Sequence, residues 1–110
     1  LPRTALPADT AWRYCDPGAS LRLGFAPRAR VQIFAARAHH APAALFFAAP
    51  LFADGTEGAP VRMAATGRLY RAELDGQRTP LVGVRIAAQP AEPVTDRSTC
   101  SGVQTYLMPQ

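Results

Sequence analysis

The sequence predicts an all-β fold: a small closed or partly closed antiparallel barrel of about eight short strands, or alternatively a small β-sandwich. Apolar residues alternate with a period of two more often than with the helical period of 3.6. In addition, 11 prolines spread from Pro2 to Pro109 leave almost no room for a long helix. A chain of 110 residues matches the size of one domain, so we expect residues 1–110 to form a single unit.

The first half of the chain begins with a turn and continues with three predicted strands. Asp16-Pro17-Gly18 predicts the turn, because proline sets φ and glycine tolerates a positive φ. Alternating apolar residues predict strands over 21–25 and 31–35, and a continuous apolar run predicts a strand buried on both faces over 44–48. One alternative places a short alanine-rich helix over 35–44, which Pro42 would limit.

The second half of the chain contains four further predicted strands and two turns. Asp54-Gly55 predicts a turn, and Asp75-Gly76 is the strongest short hairpin signal in the sequence. A segment rich in Pro, Asp and Thr predicts a loop over 89–99. The period-two alternation predicts strands over residues 61–65, 69–74, 81–86 and 103–107.

The two cysteines, Cys15 and Cys100, predict a disulfide that ties the start of the domain to its last segment. They show no metal-ligand spacing, and a small domain with few large apolar side chains gains from a crosslink. The alternative is a pair of buried free thiols in a cytosolic protein. The disulfide favours a periplasmic or secreted protein, whose signal peptide would have been removed or lie outside this sequence.

The composition argues against nucleic-acid and membrane-spanning roles. All 12 basic residues are arginines, and they give a net charge of +4, but they are dispersed and aromatic residues are only 8%. We therefore expect no nucleic-acid partner. The most apolar run, 41–53, is too short and too interrupted by proline to span a bilayer, so membrane association would need a lipid anchor ahead of Leu1.

Catalytic and metal-binding patterns are weak throughout the sequence. His39 and His40 are adjacent and predict a solvated pair rather than a metal site. No serine has a nucleophile-elbow context, and no glycine-rich phosphate loop is present. The sequence thus predicts a protein that is not an enzyme and that uses no cofactor or metal.

Two segments resemble the bacterial membrane-bound and periplasmic inhibitors of c-type lysozyme. One runs from Cys15 to Phe25 and reads CDPGASLRLGF, and the other runs from Pro60 to Tyr70 and reads PVRMAATGRLY. The resemblance implies a small eight-stranded barrel whose Thr-Gly-x-x-Tyr loop enters the lysozyme cleft. It implies that Thr66 offers a hydroxyl to the catalytic carboxylates, that Gly67 shapes the loop, and that Tyr70 supports it. Arg78 would stand in for a lysine of the family.

Two function hypotheses follow. The first is an exported protein that inhibits a c-type lysozyme, such as that of a host, by inserting this loop into the active cleft. The second is an exported, non-catalytic binding or assembly module of the cell envelope or a surface complex, suggested by the apolar stretch 45–52, which is either core or interface. The oligomeric state is left open by the sequence.

Overall fold

A computed structural model of the chain describes residues 4–5, 13–16, 18–39, 41–76, 78–96, 100 and 103–109. These residues form strands and loops, which confirms the all-β class, and the predicted strands are present with longer or shorter bounds. The strands are β1 (Thr4–Ala5), β2 (Ser20–Arg28), β3 (Arg30–Ala36), β4 (Ala44–Phe52), β5 (Val61–Arg62), β6 (Ala64–Thr66), β7 (Leu69–Asp75), β8 (Leu81–Pro90) and β9 (Gln104–Pro109). In this part of the chain, no helix is long and apolar enough to cross a membrane.

The strands are arranged in two antiparallel sheets. A five-stranded sheet has the order β1-β9-β3-β7-β6, and a four-stranded sheet has the order β2-β8-β4-β5. No closed barrel is found among the described residues, so the barrel predicted from the sequence and implied by the resemblance is not confirmed. Along one side, however, one short segment forms strand pairs with both sheets.

That segment is residues 61–66, which changes sheets at Met63. Val61 and Arg62 pair with Ala48 and Phe47 of β4, whereas residues 64–66 pair with β7. Between them, the Met63 amide donates a hydrogen bond to the Phe46 carbonyl (2.8 Å), and the Met63 side chain is buried. The strand predicted over 61–65 therefore serves both sheets, and Met63 fills the corner where they meet.

Both sheets contribute to one hydrophobic core, as the period-two pattern predicts. β7 has strictly alternating burial, with Tyr70, Ala72 and Leu74 inside, and its partner β3 alternates in the same way. On the other sheet, β8 places its apolar residues against the same core. The largest fully buried side chains are Tyr14, Phe46, Ile33, Leu81, Ile86, Val31, Val84 and Cys100.

Three local predictions differ from the structure. Residues 35–36 end β3, Ala44 begins β4, and the described residues between them form a loop, so the alternative helix is wrong. Asp75-Gly76 is not a hairpin, because the chain passes there from β7 in one sheet to β8 in the other. β4 extends beyond the predicted residue 48, through Pro50 to Phe52, and the Pro50 carbonyl accepts a hydrogen bond from the Gly58 amide (2.8 Å).

The predicted disulfide is present between Cys15 and Cys100, with a Cα–Cα distance of 5.7 Å. Both cysteines are buried, and the Tyr14 amide donates a hydrogen bond to the Cys100 carbonyl (3.1 Å) beside the bridge. The crosslink thus joins the segment ahead of β2 to the segment ahead of β9. It is compatible with an oxidising, extracellular compartment.

Candidate functional site

The most prominent candidate site is the hairpin tip, which we define as the exposed residues Thr66, Gly67, Arg68 and Leu69. Thr66 pairs with Leu69, so Gly67 and Arg68 form a two-residue turn between β6 and β7. Gly67 has a φ of 61°, whereas no other residue type has a positive φ among the described residues. A positive φ at the first central position alone is typical of a type II′ turn, which matches the twist of antiparallel strands.

Arg37 ties the hairpin tip to the neighbouring loop between β3 and β4. Its backbone amide donates a hydrogen bond to the Arg68 carbonyl (2.8 Å), within the turn itself. Its side chain donates from Nε to the Tyr70 hydroxyl (3.2 Å) and from the guanidinium to the Ala41 carbonyl. One residue therefore connects the turn, the strand behind it and the adjacent loop.

A row of aromatic rings supports the hairpin from inside the domain. Tyr70 is buried, and its ring centroid lies 4.4 Å from that of Phe46, which lies 5.2 Å from that of Tyr14. The Tyr14 hydroxyl donates a hydrogen bond to the Pro42 carbonyl (2.6 Å). Because Tyr14 adjoins Cys15, this aromatic row extends from the hairpin to the disulfide.

Burial governs the ionisation of Tyr14. Desolvation raises the pKa of its phenol from 10.0 to about 12; the positive charge of Arg37 opposes this shift, and the Tyr70 phenol adds to it. Tyr14 is thus a neutral hydrogen-bond donor across the physiological range, where it holds the Pro42 carbonyl.

The structure brings together three of the four residues predicted to bind a partner. Thr66 and Gly67 are exposed in the hairpin tip, and the buried Tyr70 lies directly behind them. Arg78 is exposed beyond the far end of β7, where it lines a shallow hollow with Arg28. The seven-residue β7 separates it from the tip by about 20 Å at roughly 3.3 Å per residue.

Other candidate groups are dispersed. His39 is exposed in the loop after β3, and His40 lies outside the described residues. Within the described ranges, no three His, Cys, Asp or Glu side chains come close enough together to hold a metal ion. An open hollow of about 390 Å³ lies between Pro42–Ala43 and the loop 91–96, and Glu92 and Asp96 are among its lining residues.

Sequence reasoning missed Arg37 and the aromatic row. Arg37 lies in an alanine-rich segment and acts on Tyr70, 33 positions away in the sequence, so no local pattern marks it. Tyr14 had a weak signal in its position beside Cys15. The apolar stretch 45–52 that suggested an interface is most of β4, and its inward residues Phe46 and Ala48 are buried in the core.

Comparisons of the chain with protein-family models, curated proteins and solved structures found no significant match.

Proposed function

We propose that this protein is an exported, non-catalytic inhibitor of a c-type lysozyme, and that it acts by inserting the hairpin tip into the active cleft. The observation that carries the proposal is the exposed Gly67-Arg68 turn, which Arg37 and Tyr70 hold from behind. A loop that is already fixed in one conformation loses little entropy on binding, so a small tip of this kind is suited to entering a cleft.

The chemistry of the tip suits a cleft that contains carboxylates. Glycoside hydrolases use a pair of Asp or Glu side chains at the scissile bond. Thr66 is exposed, and its hydroxyl is able to donate a hydrogen bond to such a carboxylate; the exposed Arg68 is two positions further along the turn. Gly67 has no side chain, and the space around its Cα is open, so the backbone is free to approach the cleft wall.

The disulfide supports an exported location, in the periplasm or outside the cell. Structural disulfides persist in oxidising compartments and are rare in the cytosol, and this bridge closes a separation of 85 residues. A lysozyme would be met in the same compartments. Arg78 takes no part in the inserted tip, because it lies at the opposite end of β7.

The test is inhibition of a c-type lysozyme on a bacterial cell-wall suspension, with the oxidised protein in excess. We expect inhibition, and we expect Thr66→Ala to weaken it by about 10- to 100-fold, since a hydrogen bond to a charged group contributes roughly 1.5–3 kcal/mol. Thr66→Ser keeps the hydroxyl and is the matched control, with inhibition close to that of the parent protein. The absence of inhibition by the parent protein, or equal inhibition by Thr66→Ala, would count against the proposal.

The second candidate is an assembly module of the cell envelope or a surface complex, and β2 is the feature that favours it. β2 pairs with β8 on one side only, and no other described strand pairs with its second edge. An open edge of nine residues can accept a strand from another chain. Sedimentation would show this as self-association that Gly24→Lys, a charge at an exposed position of that edge strand, weakens.

A further inference from the structure

Three arginines around the hairpin have no acidic partner among the residues that the structure describes. Arg62, Arg68 and Arg71 are exposed, and we call them the arginine strip. The ion pairs found in the described part of the chain are all elsewhere: Arg13–Asp16, Arg22–Glu57, Arg30–Asp75 and Arg85–Glu57. Carboxylates therefore balance the charge of these four arginines, whereas no carboxylate in the described residues balances the charge of the arginine strip.

The strand register places Arg71 next to the hairpin, with Arg62 across the Met63 corner from it. Arg71 is opposite Ala64 of β6. Arg62 lies two positions before Ala64, in β5 of the other sheet, where it is opposite Phe47. Arg68 belongs to the turn itself. The next outward residue of β7 is a carboxylate, Glu73, which accepts a hydrogen bond from the Gln32 amide (3.3 Å). Three positive charges and one negative charge leave this surface cationic.

An exposed apolar side chain, Leu69, beside the arginine strip indicates a protein partner. Among the described residues, the exposed large hydrophobic side chains are Val61 (42% exposed) and Leu69 (44%). Leu69 follows Arg68 and shares the outward face of β7 with Arg71. Val61 is opposite the buried Ala48, so it faces away from its neighbour Arg62, which is opposite Phe47. Exposed apolar residues combined with arginine are typical of protein interfaces, whereas an anionic polymer would need the charges alone.

We infer that the hairpin tip and the arginine strip form one binding surface for a protein with an acidic cleft rim. Resting on the proposed function, this inference identifies the target as an acidic c-type lysozyme rather than a strongly basic one. A protein of net charge +4 is repelled by a basic enzyme during their encounter and attracted by an acidic one. The arginine strip directs this attraction to the side of the molecule that carries the tip.

The experiment compares association rates and inhibition constants for two c-type lysozymes of opposite net charge, between ~20 and ~300 mM salt. We expect the acidic enzyme to associate faster, with a rate that falls as salt rises. Arg71→Glu should slow this association by about tenfold at low salt and should speed association with the basic enzyme. Structural damage would slow association with both enzymes, whereas a charge effect changes the two association rates in opposite directions. The urea midpoints of the variants check that they are as stable as the parent protein.

Arg28→Glu is the matched control, because it makes the same change of charge at the far end of the molecule. Arg28 is the last residue of β2 and lies opposite Leu81, the first residue of β8, in the strand register. We expect it to have a much smaller effect than Arg71→Glu. Preference for the basic enzyme, or equal effects of the two substitutions, would overturn the inference while inhibition itself still supported the proposed function. If neither enzyme is inhibited, the proposed function fails, and the inference fails with it.

Discussion

At the scale of single residues, Tyr14 joins three parts of the structure that lies behind the hairpin tip. Its amide bonds to Cys100, its ring lies beside Phe46, and its hydroxyl bonds to Pro42 in the loop that Arg37 also holds. A buried phenol with a hydrogen-bond partner is stable as long as it stays neutral. The ionisation of Tyr14 therefore links the stability of this end of the domain to pH.

Tyr14 should make folding sensitive to high pH. Its pKa is 10.0 when unperturbed and about 12 in the fold, so its contribution is complete below pH 10 and decreases between pH 10 and pH 12, where only the unfolded chain ionises. We expect the urea midpoint to fall between pH 8 and pH 11, and to fall less in Tyr14→Phe. At pH 8 that variant should lose about 1 kcal/mol with the bond to Pro42. An equal fall in both proteins would show that Tyr14 is not responsible.

The roles of single residues were predictable where the residue type itself indicates the role, as for cysteine in a disulfide and glycine in a turn. Cys15 and Cys100 could be paired from number and domain size alone, and Gly18 and Gly55, both predicted in turns, have the positive φ that only glycine adopts easily. Arg37 was not predictable, because its role depends on partners that the fold brings from distant strands. A single arginine among alanines carries no pattern for such contacts.

At the scale of elements, alternation identifies a strand but does not identify its partners. Asp75-Gly76 has the composition of a two-residue hairpin, yet Gly76 lacks the positive φ that such a turn uses. Its amide instead bonds to the Ala29 carbonyl (2.7 Å), and a Cβ at this position would lie 2.5 Å from the Thr79 carbonyl oxygen. The glycine is needed here for space, where the chain crosses between sheets.

The pairing of β2 with β8 places two glycines opposite each other, and they should respond differently to alanine. A Cβ on Gly83 would lie 2.6 Å from the Leu23 carbonyl oxygen, whereas one on Gly24 would make an ordinary 3.8 Å contact with the Val82 carbonyl oxygen. We expect Gly83→Ala to lower the free energy of unfolding by about 1–3 kcal/mol, because β2 must shift. Gly24→Ala is the control and should change it by no more than about 1 kcal/mol, in either direction. Urea unfolding measures both, and equal losses would mean that the close approach of β2 and β8 is not rigid.

At the scale of the whole molecule, the all-β class was predictable, whereas the choice between a closed barrel and two sheets was not. Period-two alternation depends on one face of each strand being buried, and this holds for β3 and β7 whatever their neighbours are. The change of sheet at Met63 depends on the shape of the assembled core, in which Met63 fills the corner. The hairpin tip was suggested by a short motif, whereas the support behind it required the three-dimensional arrangement.

The disulfide should account for a large share of the stability of the molecule. It spans a separation of 85 residues, and in the chain-entropy model a loop of this length stabilises the fold by roughly 4–5 kcal/mol, out of the 5–15 kcal/mol typical of a domain. Cys15→Ala/Cys100→Ala should therefore unfold at a much lower urea concentration than the oxidised protein. The reduced parent protein is the control and should unfold close to the double variant, because both lack the crosslink. Since both sulfurs are buried, reduction of the folded protein should be slow and should accelerate in urea, as opening of the domain exposes them. Equal midpoints for the oxidised protein and the double variant would mean that the two sheets hold the ends of the chain without the bridge.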